Sequence, residues 1–257
     1  MTNDPMLPTE PMAEAVSEGS GANWKLILLI LVGISFFLVI SCVGLFAALL
    51  FPAVSQARVA AQTVSLSNNM KQVGIAFFNY HEIHQQLPMP SMMLEGNPSQ
   101  PGASWRVSLV EHLDFFVYPQ EWDKAQSWDS EANAAYLEVA PVVYQEVIAA
   151  KPEFVNQTCV FVVKHPDGVM SGEGPVKFSD ITDAKNQTLL AVSVRNPARS
   201  VWTEPRELSL QELQTAFNSA SAQSPVIVLY CDGSVEAFKE PLDPARIKAM
   251  VTMAGND

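Results

Sequence analysis

The chain has 257 residues with 27 acidic against 15 basic side chains, a formal net charge of −12 and only 3 cysteines. That length allows one domain with a sizeable core or two small ones. So acidic a surface argues against nucleic acid as a partner, because phosphates recruit lysine and arginine.

Residues 1–23 are rich in Pro, Glu, Ser, Gly and Met, carry Asp4, Glu10, Glu14 and Glu18, and show no apolar period. They read as a disordered acidic tail. Trp24 and Lys25 follow, the aromatic and basic pair expected where a helix enters a membrane interface. Residues 26–51 contain no charge. At about 1.5 Å per residue a helix of that length spans roughly 39 Å, and a bilayer core needs only about 20 apolar residues. The expectation is a transmembrane helix over 24–51, longer than a signal peptide's apolar core and retained rather than cleaved. Membrane lipid is then one partner.

Pro52 ends the apolar run and predicts a kink at the membrane exit, since it cannot donate to the carbonyl of Ala48. Beyond it Leu66, Met70, Val73, Phe77, Tyr80 and His84 recur at helical spacing, which predicts a stalk helix over 53–86 that stops before Pro88. Residues 86–103 hold four prolines and two glycines and read as a loop. A short helix opens at Ser104 and Trp105. Residues 118–130 are aromatic and polar without a period, and 142–150 suggest another short helix.

The second half is rich in β-branched runs: 159–163, 188–194, 226–231 and 234–238. Asp232 and Gly233 join the last two as a hairpin. Ser209 and Glu212 form a capping box ahead of Leu213 and Phe217. Asp243 and Pro244 start a closing helix that Gly255 ends. The fold class is therefore α+β: one long N-terminal helix, transmembrane then stalk, on an antiparallel sheet, with short helices at the edges. The domains are the tail, the span, and an α+β body over 52–257.

Several segments carry a resemblance. The stretch LSNNMKQVGIAFFNYH over 66–81 resembles the stalk-helix signature of a planctomycete family of prepilin-like proteins of unknown function. LFPAVSQAR over 50–58 is similar to that family's membrane-exit segment. SWRV over 104–107, WDS over 128–130, VWTEP over 201–205, LYCDGSV over 229–235 and DPA over 243–245 resemble its later landmarks, in order. The resemblance implies a type IV pilin or pseudopilin-like fold. It also implies an N-terminus in the cytoplasm and a large domain outside the cytoplasmic membrane, an orientation that Lys25 and Arg58 leave balanced. Counting back from Pro52, Ile30 and Ser35 stand where processed members carry Gly and Glu. The expectation is a permanent single-pass anchor.

Candidate chemistry is sparse. His81 and His84 lie three apart on the stalk, but no third metal ligand accompanies them, and His84 reads as a packed continuation of the stripe. Asp232, Gly233 and Ser234 read as a turn, not a calcium loop. No nucleophile elbow or phosphate loop occurs, so neither a cofactor nor a catalytic residue is expected. Cys159 and Cys231 read as buried thiols, with a disulfide between them the alternative. Trp105, Trp122, Trp128 and Trp202 either fill the core or line a ligand surface. The reading is a non-enzymatic pilin-like structural or interaction protein, with protein partners or self-assembly. The alternative is an extracytoplasmic binding module for polysaccharide or peptide. An enzyme of unknown class is third.

Overall fold

A computed structural model describes residues 23–113, 121–145, 154–195 and 199–255. Residues 1–22 of the acidic tail and residues 118–120 of the aromatic stretch lie outside them. The chain divides into two units, Met1–Ser55 and Gln56–Asp257, and one helix, α1 (Asn23–His84), contributes to both. In the first unit α1 begins beside Trp24 and Lys25, and the helical backbone runs through Pro52. Its most apolar window has no buried side chain. The helix is long and apolar enough to cross a membrane.

The second unit is layered. The strands β4 (Val160–Phe161), β6 (Leu189–Ser193), β9 (Val226–Tyr230) and β10 (Val235–Phe238) form a four-stranded antiparallel sheet in the order β10-β9-β6-β4. Of the shorter elements, β3 (Gln157–Thr158) pairs with β7 (Ser200–Val201), β5 (Val163–Lys164) pairs with β8 (Leu208–Ser209), and α3 (Ala134–Glu138) is a single helical turn. All five residues of β9 are buried, which marks a strand covered on both faces. The period of two sorts them: Ile227 and Leu229 meet the stalk part of α1, through Leu66, Met70, Val73 and Phe77. Val226, Val228 and Tyr230 meet Leu213 and Phe217 of α4 (Leu210–Asn218) and Ile247 and Met250 of α5 (Pro244–Val251). β6 breaks the alternation with a bulge. Leu189 pairs with Tyr230 and Ala191 with Leu229, so Leu190 is extra, and Leu190 and Ala191 both enter the α1 side. Each large side chain so buried stabilises by about 1.5–3 kcal/mol.

The stalk approaches the sheet closely at Gly74, where a Cβ would sit 3.0 Å from Leu229 Cδ1. Leu66, Met70, Val73 and Phe77 are buried as their spacing predicts, but the stripe then leaves the core: Tyr80 is half-buried and His84 exposed. α1 ends at His84 because Gln85 turns left-handed, φ 57°, with its N–H donating to His81 O at 2.8 Å.

Other expectations are corrected. Residues 86–103 are not a plain loop. They hold the hairpin of β1 (Ser91–Leu94) and β2 (Asn97–Ser104), turned at Gly96 with φ 85°. Pro98 and Pro101 are accommodated because the ladder is irregular there: its register shifts between Met92 and Met93 and again between Met93 and Leu94, and a two-stranded ribbon has free edges as well. The short helices α4 and α5 do not sit at the sheet's edges; they cover its second face. α5 stops at Val251, short of Gly255, because Thr252 is extended and bridges to Gly168. Residues 142–144 form a turn, and 146–150 lie outside the described residues. Cys159 and Cys231 are buried and are not joined in a disulfide, and Cys159 Sγ lies 3.3 Å from Ser193 Oγ.

Candidate functional site

Trp105 and Arg106 open α2 (Trp105–Ser108), whose N-cap is Ser104; its hydroxyl accepts from Arg106 N–H at 3.3 Å. The Arg106 side chain is fully buried. Its Nε donates to Val160 O at 2.9 Å, and its Nη1 donates to Ser104 Oγ, to Trp202 O at 3.2 Å and to Glu204 O at 3.3 Å. The guanidinium also lies over the rings of Trp105 (5.4 Å) and Phe161 (5.3 Å). Burial lowers its pKa to about 10, so the group is still a cation at neutral pH. Arg106 thus ties α2 to β4 and to the 202–204 segment.

Around it runs a chain of rings. Phe77 stacks on Trp105 at 5.0 Å, Trp105 meets Tyr144 edge-on at 6.0 Å, and Tyr144 stacks on Trp202 at 6.1 Å. Trp202 Nε1 donates to Tyr136 O at 2.7 Å, and Tyr136 meets Trp122 edge-on at 5.0 Å. Trp105 and Trp202 have no exposed surface. They are withdrawn from any ligand surface: their large rings fill the space where α2 and the 202–204 segment converge. Trp122 and Trp128 are half-buried against the same core and reach solvent.

The segment carrying those two tryptophans is folded around Asn133, a residue the sequence reading passed over. Asn133 is buried; its Oδ1 accepts from Asp123 N–H at 2.9 Å, and its Nδ2 donates to the carbonyls of Asp123 (3.1 Å), Ser127 (3.1 Å) and Gln126 (3.4 Å). The only hint in the sequence was an Asn amid polar residues, which resembles any loop.

The histidines part company. His81 packs against Phe178 at 4.9 Å, while His84 stacks on Tyr80 at 4.1 Å and stands edge-on to His112 at 6.0 Å. Burial first, and then His84, holds His112 below its ordinary pKa. Among the described residues no three His, Cys, Asp or Glu side chains converge as a metal set. Asp232 Oδ1 accepts from Ser234 N–H at 2.8 Å and Oγ at 2.6 Å, and Gly233 has φ 85°, a turn as expected.

A polar cleft of about 390 Å³ opens where the 183–188 segment, β9, β10 and α5 meet. Tyr230, Glu236, Asp183 and Arg246 line it. Its residues come from four separate stretches; Tyr230 lies within LYCDGSV and Arg246 follows DPA, but no spacing in the sequence joins those segments to Asp183 or Glu236.

A family model described as a protein of unknown function (DUF1559) matches residues 55–146, the stalk and the Trp105-to-Tyr144 region. This chain is similar to that family over this segment. No curated protein and no solved structure matches the chain.

Proposed function

We propose that this is a membrane-anchored, non-enzymatic, pilin-like structural or interaction protein whose large domain stands outside the cytoplasmic membrane. The observation that carries the reading is the wholly unburied apolar stretch of α1, in a helix whose later turns supply the core of the second unit. An apolar surface that size needs lipid or another apolar surface to cover it. The ionisable groups of the core do structural work: Arg106 donates to three backbone carbonyls and the Ser104 hydroxyl, and Tyr144 is held neutral by burial. Intact-mass measurement on the membrane-extracted chain tests the anchor. The expected mass includes residues 26–51; a mature N-terminus near Leu31 overturns a permanent anchor. Protease accessibility on intact cells tests the orientation, with cleavage expected in the large domain.

A second reading, a module that captures polysaccharide or peptide, is favoured by Trp122 and Trp128 alone, the two of the four tryptophans that reach solvent. Glycan-array binding by the full chain, lost in Trp122→Ala or Trp128→Ala, would select it. Fibres or a detergent-stable oligomer would select assembly.

A further inference from the structure

The polar cleft has a charge layout that its own residues do not complete. Arg246 projects from the first turn of α5 and lies 5.8 Å from the Phe238 ring centroid, so an aromatic face on β10 holds the guanidinium. Asp183 and Glu236 line the same cleft, yet Arg246 makes no ion pair with either of them or with any other described residue. Each carboxylate is engaged at one oxygen by a neutral donor: Asp183 Oδ2 by the Gly255 N–H at 2.8 Å, and Glu236 Oε2 by the Tyr230 hydroxyl at 2.9 Å. Those donors orient the two carboxylates without neutralising them. Among the described residues the other oxygen of each has no donor, and the side-chain amides of Asn186 and Gln187 add unpaired hydrogen-bonding groups to the rim.

This pattern discriminates among ligands. A phosphate would suit Arg246 but would face two carboxylates. A metal ion would suit the carboxylates but would face a guanidinium. A neutral sugar would leave all three charges uncompensated. A zwitterion answers every group: its carboxylate takes the planar guanidinium fork, and its ammonium takes Asp183 and Glu236. A volume of about 390 Å³ lies at the small end of small-molecule sites, which favours a short peptide over a polymer. Peptide groups between the two termini would meet the Asn186 and Gln187 amides.

We propose that the cleft between the 183–188 segment, the β9–β10 hairpin and α5 binds a short zwitterionic peptide, with Arg246 on its carboxylate and Asp183 with Glu236 on its ammonium. This goes beyond the anchoring and display reading and does not depend on it.

The test is calorimetric titration of the full chain in detergent with three probes: alanyl-alanine, its N-acetyl form and its C-terminal amide. The free dipeptide is expected to bind, and each capped form to bind at least tenfold more weakly, because each lacks one of the two charges. Arg246→Gln should weaken the free dipeptide about tenfold and abolish the discrimination between acid and amide. Glu236→Gln keeps an acceptor for Tyr230 and should reduce the discrimination between amine and acetyl. No heat from the dipeptide at about 10 mM overturns the proposal. So does equal binding of the three probes, or undiminished binding by folded Arg246→Gln. Should that variant fail to fold, the three probes on the wild-type chain still decide.

Discussion

Arg106 shows what one side chain can hold together. It is a buried cation whose near partners are carbonyls, a hydroxyl and two aromatic faces. Arg106→Ala strips a charged donor from Val160 O, Trp202 O and Glu204 O and leaves a cavity. A loss of about 3 kcal/mol is expected in urea unfolding of the full chain in detergent. Arg106→Lys should not rescue it, because one ammonium cannot reach Val160 on one side and Trp202 on the other. Cys231 makes a separate prediction about pH. Burial, helped by Asp232, pushes its thiol up to about 12 from an ordinary value near 9. The folded pKa is raised, so the contribution is complete below pH 9 and is lost as pH climbs toward 12. The unfolding free energy should fall by up to about 1.4 kcal/mol per pH unit above 9, read from urea unfolding at a series of pH values. In Cys231→Ala the fall should be shallower between pH 9 and 10, and should steepen only where unfolded tyrosines start to ionise while Tyr144 and Tyr230 stay neutral in the fold.

The secondary-structure elements end where local chemistry tells them to. The Ser209 and Glu212 capping box is formed, with Ser209 N–H donating to Glu212 Oε2 at 2.8 Å and Glu212 N–H donating to Ser209 Oγ at 3.2 Å. The hairpin turn is the more sensitive point. Gly233 sits at φ 85°, and a Cβ there would lie 3.0 Å from Phe78 Cε2. Gly233→Ala therefore meets a left-handed backbone penalty and a clash with the stalk side of the core, a cost of about 1–3 kcal/mol. Thermal unfolding should show it. Gly233→Asn, which tolerates positive φ better but still carries a Cβ, should recover only part. These caps and this turn were legible because each depends on residues within four positions of one another. The β1–β2 hairpin was not: its prolines signal a loop, and only pairing across Gly96 makes them strands.

For the molecule as a unit in its surroundings, the apolar part of α1 is the governing feature. A charge in the middle of a span costs about 2.5–3.5 kcal/mol on insertion scales. Val39→Arg should move a measurable share of the protein from the carbonate-resistant membrane fraction into the soluble or aggregated fraction. Val64→Arg, an exposed position on the stalk beyond the span, should leave it in the membrane. Equal partitioning of the two variants would remove the membrane from the account.

Periodicity and local capping rules were enough to read the uncharged stretch of α1, the stalk's buried face, the four runs that hold the main sheet's strands and the starts of α4 and α5, because those signals are local and repeat. The tertiary structure decided what depends on residues far apart in the chain. It put α4 and α5 on the second face of the sheet, and so explained a strand apolar on both sides. It sealed Trp105 and Trp202 inside while leaving Trp122 and Trp128 at the surface, although all four read alike. It folded the 122–128 segment around Asn133, and it gathered Asp183, Tyr230, Glu236 and Arg246 into one cleft. Burial and charge pairing arise from packing between distant segments, and no local pattern encodes them.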